Sequence, residues 1–135
     1  MPNRRDLFKA APFLATFAAA QGATLPNATL SAAQAKLIKE PFGDHHIYFE
    51  GATEQLKSIA VGSLLLNPGA TPHPPHSHAE EELMVVTEGA GEITLDGKTT
   101  RTAAGFIMYS AAGKVHGIVN TGKAPLLFYY FKWLK

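Results

Sequence analysis

From His45 onward the chain alternates apolar and polar residues in short runs, and each run stops at a turn residue. The runs are "HHIYFE", "LKSIAVGSLLL", "ELMVVTEG", "GEITLDG", "KTTRTAAG", "FIMYSAAG", "HGIVNTG" and "APLLFYYFKWL". Period-two alternation with β-branched and aromatic residues predicts strands. Proline, glycine and asparagine punctuate them, so the pattern predicts about eight short strands in an all-β sandwich or small barrel. In "GEITLDGK", Ile93 and Leu95 share one face, Thr94 and Asp96 the other. Asp96-Gly97 then predicts a tight hairpin turn. "PLLFYYFKW" is apolar at nearly every position. It predicts a strand covered on both sides, either between sheets or in a subunit interface.

The segment ahead of these strands reads differently. "MPNRRDLFKAAPFLATFAAAQGA" has a basic start, an apolar alanine-rich middle and small residues around Ala18 and Ala23. The apolar part is too short to span a bilayer as a helix. Those are the parts of a signal peptide. "RRDLFK", with Arg4, Arg5 and Lys9, resembles the twin-arginine export signal. The other reading is a disordered basic tail. The resemblance implies residues 1–22 as a signal peptide and a periplasmic or secreted protein that folds before export. Residues 23–44 read as a linker, with a short helix possible over 31–39 and Ser31 as its N-cap. Residues 45–135 form the predicted domain.

Composition narrows the function classes. A length of 135 residues suits one domain, and 46% hydrophobic with 17% charged residues is ordinary for a globular protein. A formal net charge of +1 points to neither nucleic acid nor an anionic membrane as partner. The absence of cysteine excludes disulfides, thiolate metal sites and thiol nucleophiles. Nine prolines and twelve glycines argue against a helical bundle.

Candidate chemistry concentrates in "HPPHSHAEEELMVVTEG", residues 73–89. His76 and His78 are spaced i, i+2, which puts both side chains on one face of a strand. Glu82 has the same parity. His116 lies in "GKVHGIVN", at the start of another predicted strand. Three imidazoles and a carboxylate suit a divalent first-row transition metal. The alternative for "HPPHSH" alone is a polar loop that binds metal adventitiously. Glu80 and Glu81 read as solvated, His45 and His46 as strand-end residues, and His73 as a weak candidate for a pocket role.

Two motifs carry a family resemblance. Gly69, His76, His78, Glu82 and Gly89 resemble the first cupin motif, with six residues instead of five between Gly69 and His76. "GFIMYSAAGKVHGIVN" resembles the second, through Gly105, Gly113, His116 and Asn120, with Ala111 where the family has proline. The resemblance covers residues 45–133 and implies a small single-domain cupin, a jelly-roll β-barrel holding a metal on His76, His78, Glu82 and His116. Mn or Fe is favoured, because folding before export would enclose a weakly competitive ion, whereas Cu or Zn would win on affinity outside the cytoplasm. Ni, Zn, Co and Cu suit the same ligands. Asn120 is expected to fix a turn near the site. Met84, Phe106, Met108, Tyr129 and Phe131 are the apolar candidates for the pocket wall. No catalytic acid or base can be assigned.

Two function classes follow. One is a small metalloenzyme, of dioxygenase, decarboxylase or isomerase type, acting on a small oxygen-rich molecule. The other is a non-catalytic small-ligand or sugar-binding protein with a structural metal. The apolar excess of "LLFYYFKWL", together with the resemblance, which implies pairing through the sheets, makes a homodimer the expectation.

Overall fold

In the computed structural model, residues 23–135 are described; residues 1–22, on which the expectation of an export signal falls, lie outside the described residues. Nine strands follow one another: β1 (Lys36–Glu40), β2 (Gly43–Gly51), β3 (Ser58–Leu66), β4 (Glu81–Glu88), β5 (Ala90–Leu95), β6 (Lys98–Ala103), β7 (Ile107–Ser110), β8 (His116–Val119) and β9 (Leu126–Leu134). They make two antiparallel sheets. The larger has the order β1-β2-β3-β9-β4-β7, the smaller β6-β5-β8. The all-β expectation holds in this arrangement.

The last strand in sequence is central in space, because β9 pairs with β3 on one side and β4 on the other. Its inward residues Leu126, Phe128 and Tyr130 meet Leu64 and Leu66 of β3 and Met84 and Val86 of β4. Ile93 and Ile118 close the core from the smaller sheet. Phe128, Leu66 and Leu126 are essentially fully buried, which makes this layer the main hydrophobic contribution. The outward residues Leu127, Tyr129 and Phe131 are only half-buried.

The amino-terminal region departs from expectation. Residues 31–35 make a single turn, in which Gln34 and Ala35 donate to the Ser31 carbonyl, and the chain then extends into β1. An isolated short helix is marginal in water. The same residues instead gain a ladder with β2, from Lys36 opposite Ile47 to Glu40 opposite Gly43. The sheet therefore begins inside what reads as linker.

The β5–β6 hairpin turns on Asp96 and Gly97, with φ of 51° and 82°. Both central residues are left-handed, as the tightest hairpin turn requires. Gly89 is also left-handed, at 81°, but its surroundings differ. A side-chain carbon added there would meet the Pro125 carbonyl oxygen at 2.5 Å, whereas one at Gly97 would meet nothing within 4 Å. Gly97→Ala is expected to cost about 1 kcal/mol, the backbone strain alone. Gly89→Ala is expected to cost about 3 kcal/mol or more, since backbone must also move. Urea unfolding of the two variants measures the difference; equal losses would show that the Pro125 contact yields freely.

Candidate metal centre

His76 and His78 do not lie on a continuous strand. They sit in the loop between β3 and β4, where Pro72, Pro74 and Pro75 restrict the backbone. The loop is fastened along β8. Gly69 donates to the Asn120 carbonyl, and Asn120 donates to that of Ala70. The Thr71 hydroxyl donates to the Ile118 carbonyl at 2.7 Å. His76 and His116 exchange both backbone hydrogen bonds, at 2.9 and 2.8 Å. Pro75 packs on Gly117, where a side-chain carbon would meet its Cα at 3.1 Å. A reciprocal pair of this kind sets both side chains on one face. The pinned loop, rather than strand parity, brings these side chains together.

The three imidazoles converge. Ring centroids are 5.2 Å apart for His76–His78, 5.1 Å for His76–His116 and 4.8 Å for His78–His116, with planes 75–87° apart. One ligand atom from each ring lies within 4.8 Å of the others. Glu82, near the start of β4, reaches the same point. Its Oε1 is 2.9 Å from His78 Nε2 and 3.5 Å from His116 Nε2.

Hydrogen bonding fixes which nitrogens face inward. His116 Nδ1 lies 3.1 Å from the Lys114 carbonyl and 3.1 Å from Ser110 Oγ. A carbonyl can only accept, so Nδ1 carries the proton and Nε2 presents its lone pair. His78 Nδ1 is likewise bound to the Glu80 carbonyl at 3.0 Å. Its Nε2 therefore faces a carboxylate oxygen, lone pair to lone pair, unless a proton or a cation sits between them. Among the described residues, buried His116 Nε2 makes no hydrogen bond; Glu82 Oε1 stands 3.5 Å away. An orphaned buried nitrogen of this kind asks for an explanation, and a metal ion is one. Donor atoms about 2.1 Å from one ion and 90–110° apart stand about 3.0–3.4 Å from each other, close to the observed Glu82–imidazole spacings; the imidazole nitrogens, spread over up to 4.8 Å, would draw together by several tenths of an ångström or more to share the ion. The residues fit a first-row divalent ion.

The electrostatics agree. Burial pushes the Glu82 carboxyl up, but the bonds and charges of His116 and His78 outweigh it and hold it below its ordinary 4.5. The Glu82 carboxylate, 3.5 Å from Nε2, holds His116 above its ordinary 6.5, against the opposing effect of burial. Burial, then the neighbouring His73, His116 and His78, push His76 down. In metal-free protein the Glu82 contribution is full above pH 4.5 and is lost as pH falls through the lower folded value. The His116 contribution is full below pH 6.5 and is lost as pH rises through the higher folded value. The stability difference between wild type and Glu82→Gln is thus expected to be greatest between about pH 4.5 and 6.5, with other titrating groups cancelling in the subtraction. Thermal melts of both proteins across pH check this; a difference independent of pH would dissolve the proposed coupling.

A cavity of about 300 Å³ opens beside the cluster. Phe42, Leu64, Met84, Ile118 and Phe128 supply its apolar wall, and Glu40, His45, His73, His76, Glu82, Tyr130 and Lys132 its polar positions. Met84 is where expected. Met108 is buried in the core but away from this cavity, and Phe106 is half exposed. Tyr129 and Phe131 lie on the outer face of β9, so Phe128 and Tyr130 line the cavity instead. His73 stacks on His76 with centroids 3.7 Å apart. His45 enters the site as a partner of Tyr130, its Nε2 2.8 Å from the hydroxyl. Sequence reading gave His45 a minor place and missed Tyr130, Lys132 and Ser110. The alternation of β2 through His45 was the available signal for the first.

The expected turn around Asn120 is present. Its amide donates to the carbonyls of Leu66 and Ala124, and its side-chain oxygen accepts from Gly122. Ala111, where the motif has proline, leaves the following turn intact: Gly113 donates to the His78 carbonyl and Lys114 to that of Ala111.

Two packed antiparallel sheets with an inward cluster of three histidines define a small β-sandwich protein with a candidate metal site. The family model for the cupin domain matches residues 62–131, and the chain belongs to that family. Among solved structures, it resembles an RmlC-like cupin from Shewanella frigidimarina, with a TM-score of 0.68 and 15% identity over 82% of this chain and 93% of that one. A predicted oxalate decarboxylase from Thermotoga maritima aligns with a TM-score of 0.63 and 20% identity, over 80% of this chain and all of that one. A sugar phosphate isomerase of the cupin superfamily from Silicibacter pomeroyi gives 0.53 and 29%, over 57% of this chain and 51% of that one. No curated protein matches the chain. Among the described residues no helix is long and apolar enough to cross a membrane.

Proposed function

We propose that this cupin is a small metalloenzyme whose divalent ion is held by His76, His78, His116 and Glu82. The observation that carries the reading is the buried, partnerless His116 Nε2, facing the Glu82 carboxylate beside a mostly apolar cavity. A bound divalent ion supplies Lewis acidity toward an oxygen-rich molecule seated there. The chain does the rest. The Lys114 carbonyl and Ser110 hydroxyl hold the His116 tautomer, the Glu80 carbonyl holds that of His78, and Phe42, Leu64 and Phe128 exclude water from the cavity. Decarboxylation and isomerisation are the favoured reaction types, since the similar solved structures include proteins described by those activities. The twin-arginine resemblance of Arg4 and Arg5 favours a site of action outside the cytoplasm and Mn or Fe as the ion.

Elemental analysis of protein purified after native export tests the metal. One ion per chain, mainly Mn or Fe, is expected. A metal-free protein that also refuses Mn, Fe and Zn on reconstitution would overturn the reading, and mainly Cu or Zn would overturn the argument for the ion. Product formation over a panel of hydroxy acids, diketones and sugar phosphates, comparing wild type with Glu82→Gln, tests catalysis. Turnover in wild type and its loss in the variant are expected. Tight binding with no turnover would establish the ligand-binding alternative.

A further inference from the structure

The cavity wall facing the histidine cluster is built from β2 and β9. On β9, Phe128, Tyr130 and Lys132 follow one another at every second residue, so they share the inward face. Lys132 stands directly opposite Glu82 in the β4–β9 ladder. Among the described residues its ammonium has no carboxylate within the 4.0 Å of an ion pair, since Glu82 is turned to the imidazoles. Its charge nonetheless acts on both His45 and His116. Tyr130 reaches past β3 to His45, and Gly62 makes this possible: a side-chain carbon there would meet the Tyr130 hydroxyl at 2.5 Å. Burial keeps the Tyr130 phenol protonated and His45 uncharged near neutral pH. The bond can run in either direction; in the tautomer with the proton on Nε2, the imidazole donates to the phenolic oxygen and the phenol proton points into the cavity.

We propose that Lys132 and the His45-supported Tyr130 hydroxyl form an anion-recognising wall, and that the ligand of this cavity is a small carboxylate. An unpaired ammonium and a neutral donor on one apolar wall match a carboxylate better than a neutral sugar or a phenol. Glu40, on the same wall, is the one carboxylate there not engaged with an imidazole of the cluster, and it disfavours larger polyanions. A cavity of about 300 Å³ is at the small end of ligand sites, which suits a small molecule. The proposal rests on the metal reading for the other end of the ligand, but the wall itself exists without the ion.

Calorimetric titration of lactate against lactamide, two molecules of one shape and different charge, tests it. Wild type, Lys132→Met and Lys132→Arg are compared, each in manganese-loaded and in chelator-treated form. Metal content is measured on every sample. Wild type is expected to prefer lactate in both forms. Lys132→Met should lower that preference about tenfold at unchanged metal content, and Lys132→Arg should retain it. Tyr130→Phe should weaken lactate severalfold. An unchanged preference in Lys132→Met, its loss in both lysine variants, or no lactate binding in wild type would overturn the proposal. Failure to load manganese, iron or zinc with the lactate preference intact would overturn the metal reading and leave this wall standing.

Discussion

His116→Ala is expected to weaken the binding of a divalent first-row ion by more than about a hundredfold. The side chain is 1% exposed, and the lone pair of its Nε2 meets no hydrogen-bond donor among the described residues. Alanine removes that lone pair and leaves a void that the pinned loop cannot close, because His76 and residue 116 still exchange backbone bonds. The Glu82 carboxylate then faces His78 alone. In metal-free protein the variant is expected to lose about 2–3 kcal/mol, from the void and the half-stranded buried carboxylate. Ser110→Ala makes the informative comparison. It removes a second partner of Nδ1 but leaves the Lys114 carbonyl to hold the tautomer, so affinity should fall less than about tenfold. Competition with a chromophoric chelator measures both. Wild-type affinity in His116→Ala would sink the four-residue site; a Ser110→Ala loss as large as that of His116→Ala would show that the tautomer depends on the hydroxyl.

The candidate cluster and the fold were legible in the sequence to different depths. His76 and His78 stood out by their spacing, Glu82 by its parity with them and His116 through the second motif. Yet the strand parity used to align them describes a conformation the loop does not adopt. The correct face comes from the bridge between His76 and His116, a contact between distant segments that local periodicity does not encode. The strands were legible from alternation, except where alternation is silent. In "LLFYYFKWL" nearly every position is apolar, so no pattern tells Phe128 and Tyr130 from Tyr129 and Phe131. Only the register with Met84 and Glu82 fixes the phase. That phase also brings Lys132 into the cavity, which is why the charged wall was invisible beforehand. For β1, a weak helix signal in a short segment yielded to a sheet edge supplied by β2.

Asn120→Ala is expected to cost about 3 kcal/mol and to lower Tm by about 10 °C or more. The residue is 0% exposed and makes three side-chain bonds, two donated to the carbonyls of Leu66 and Ala124 and one accepted from the Gly122 amide. Alanine strands the buried Leu66 carbonyl, which costs more than the bond itself contributes, and removes the bonds to half-buried Gly122 and exposed Ala124. The consequence for the site is smaller. The backbone of residue 120 still accepts from Gly69 and donates to Ala70, so the histidine loop keeps its anchor, and metal affinity should fall less than about tenfold. Asn120→Asp separates the donated bonds from the accepted one. It keeps an oxygen for Gly122 but turns a second oxygen toward two carbonyls, which raises the carboxyl pKa in the folded state. A raised folded value means that stability relative to Asn120→Ala improves as pH falls toward about 4, where the protonated acid can donate again. Melting curves of the three proteins at neutral and acid pH read this directly. If Asn120→Asp melts like wild type at neutral pH, the donated bonds to Leu66 and Ala124 contribute nothing and the turn is held by its backbone alone.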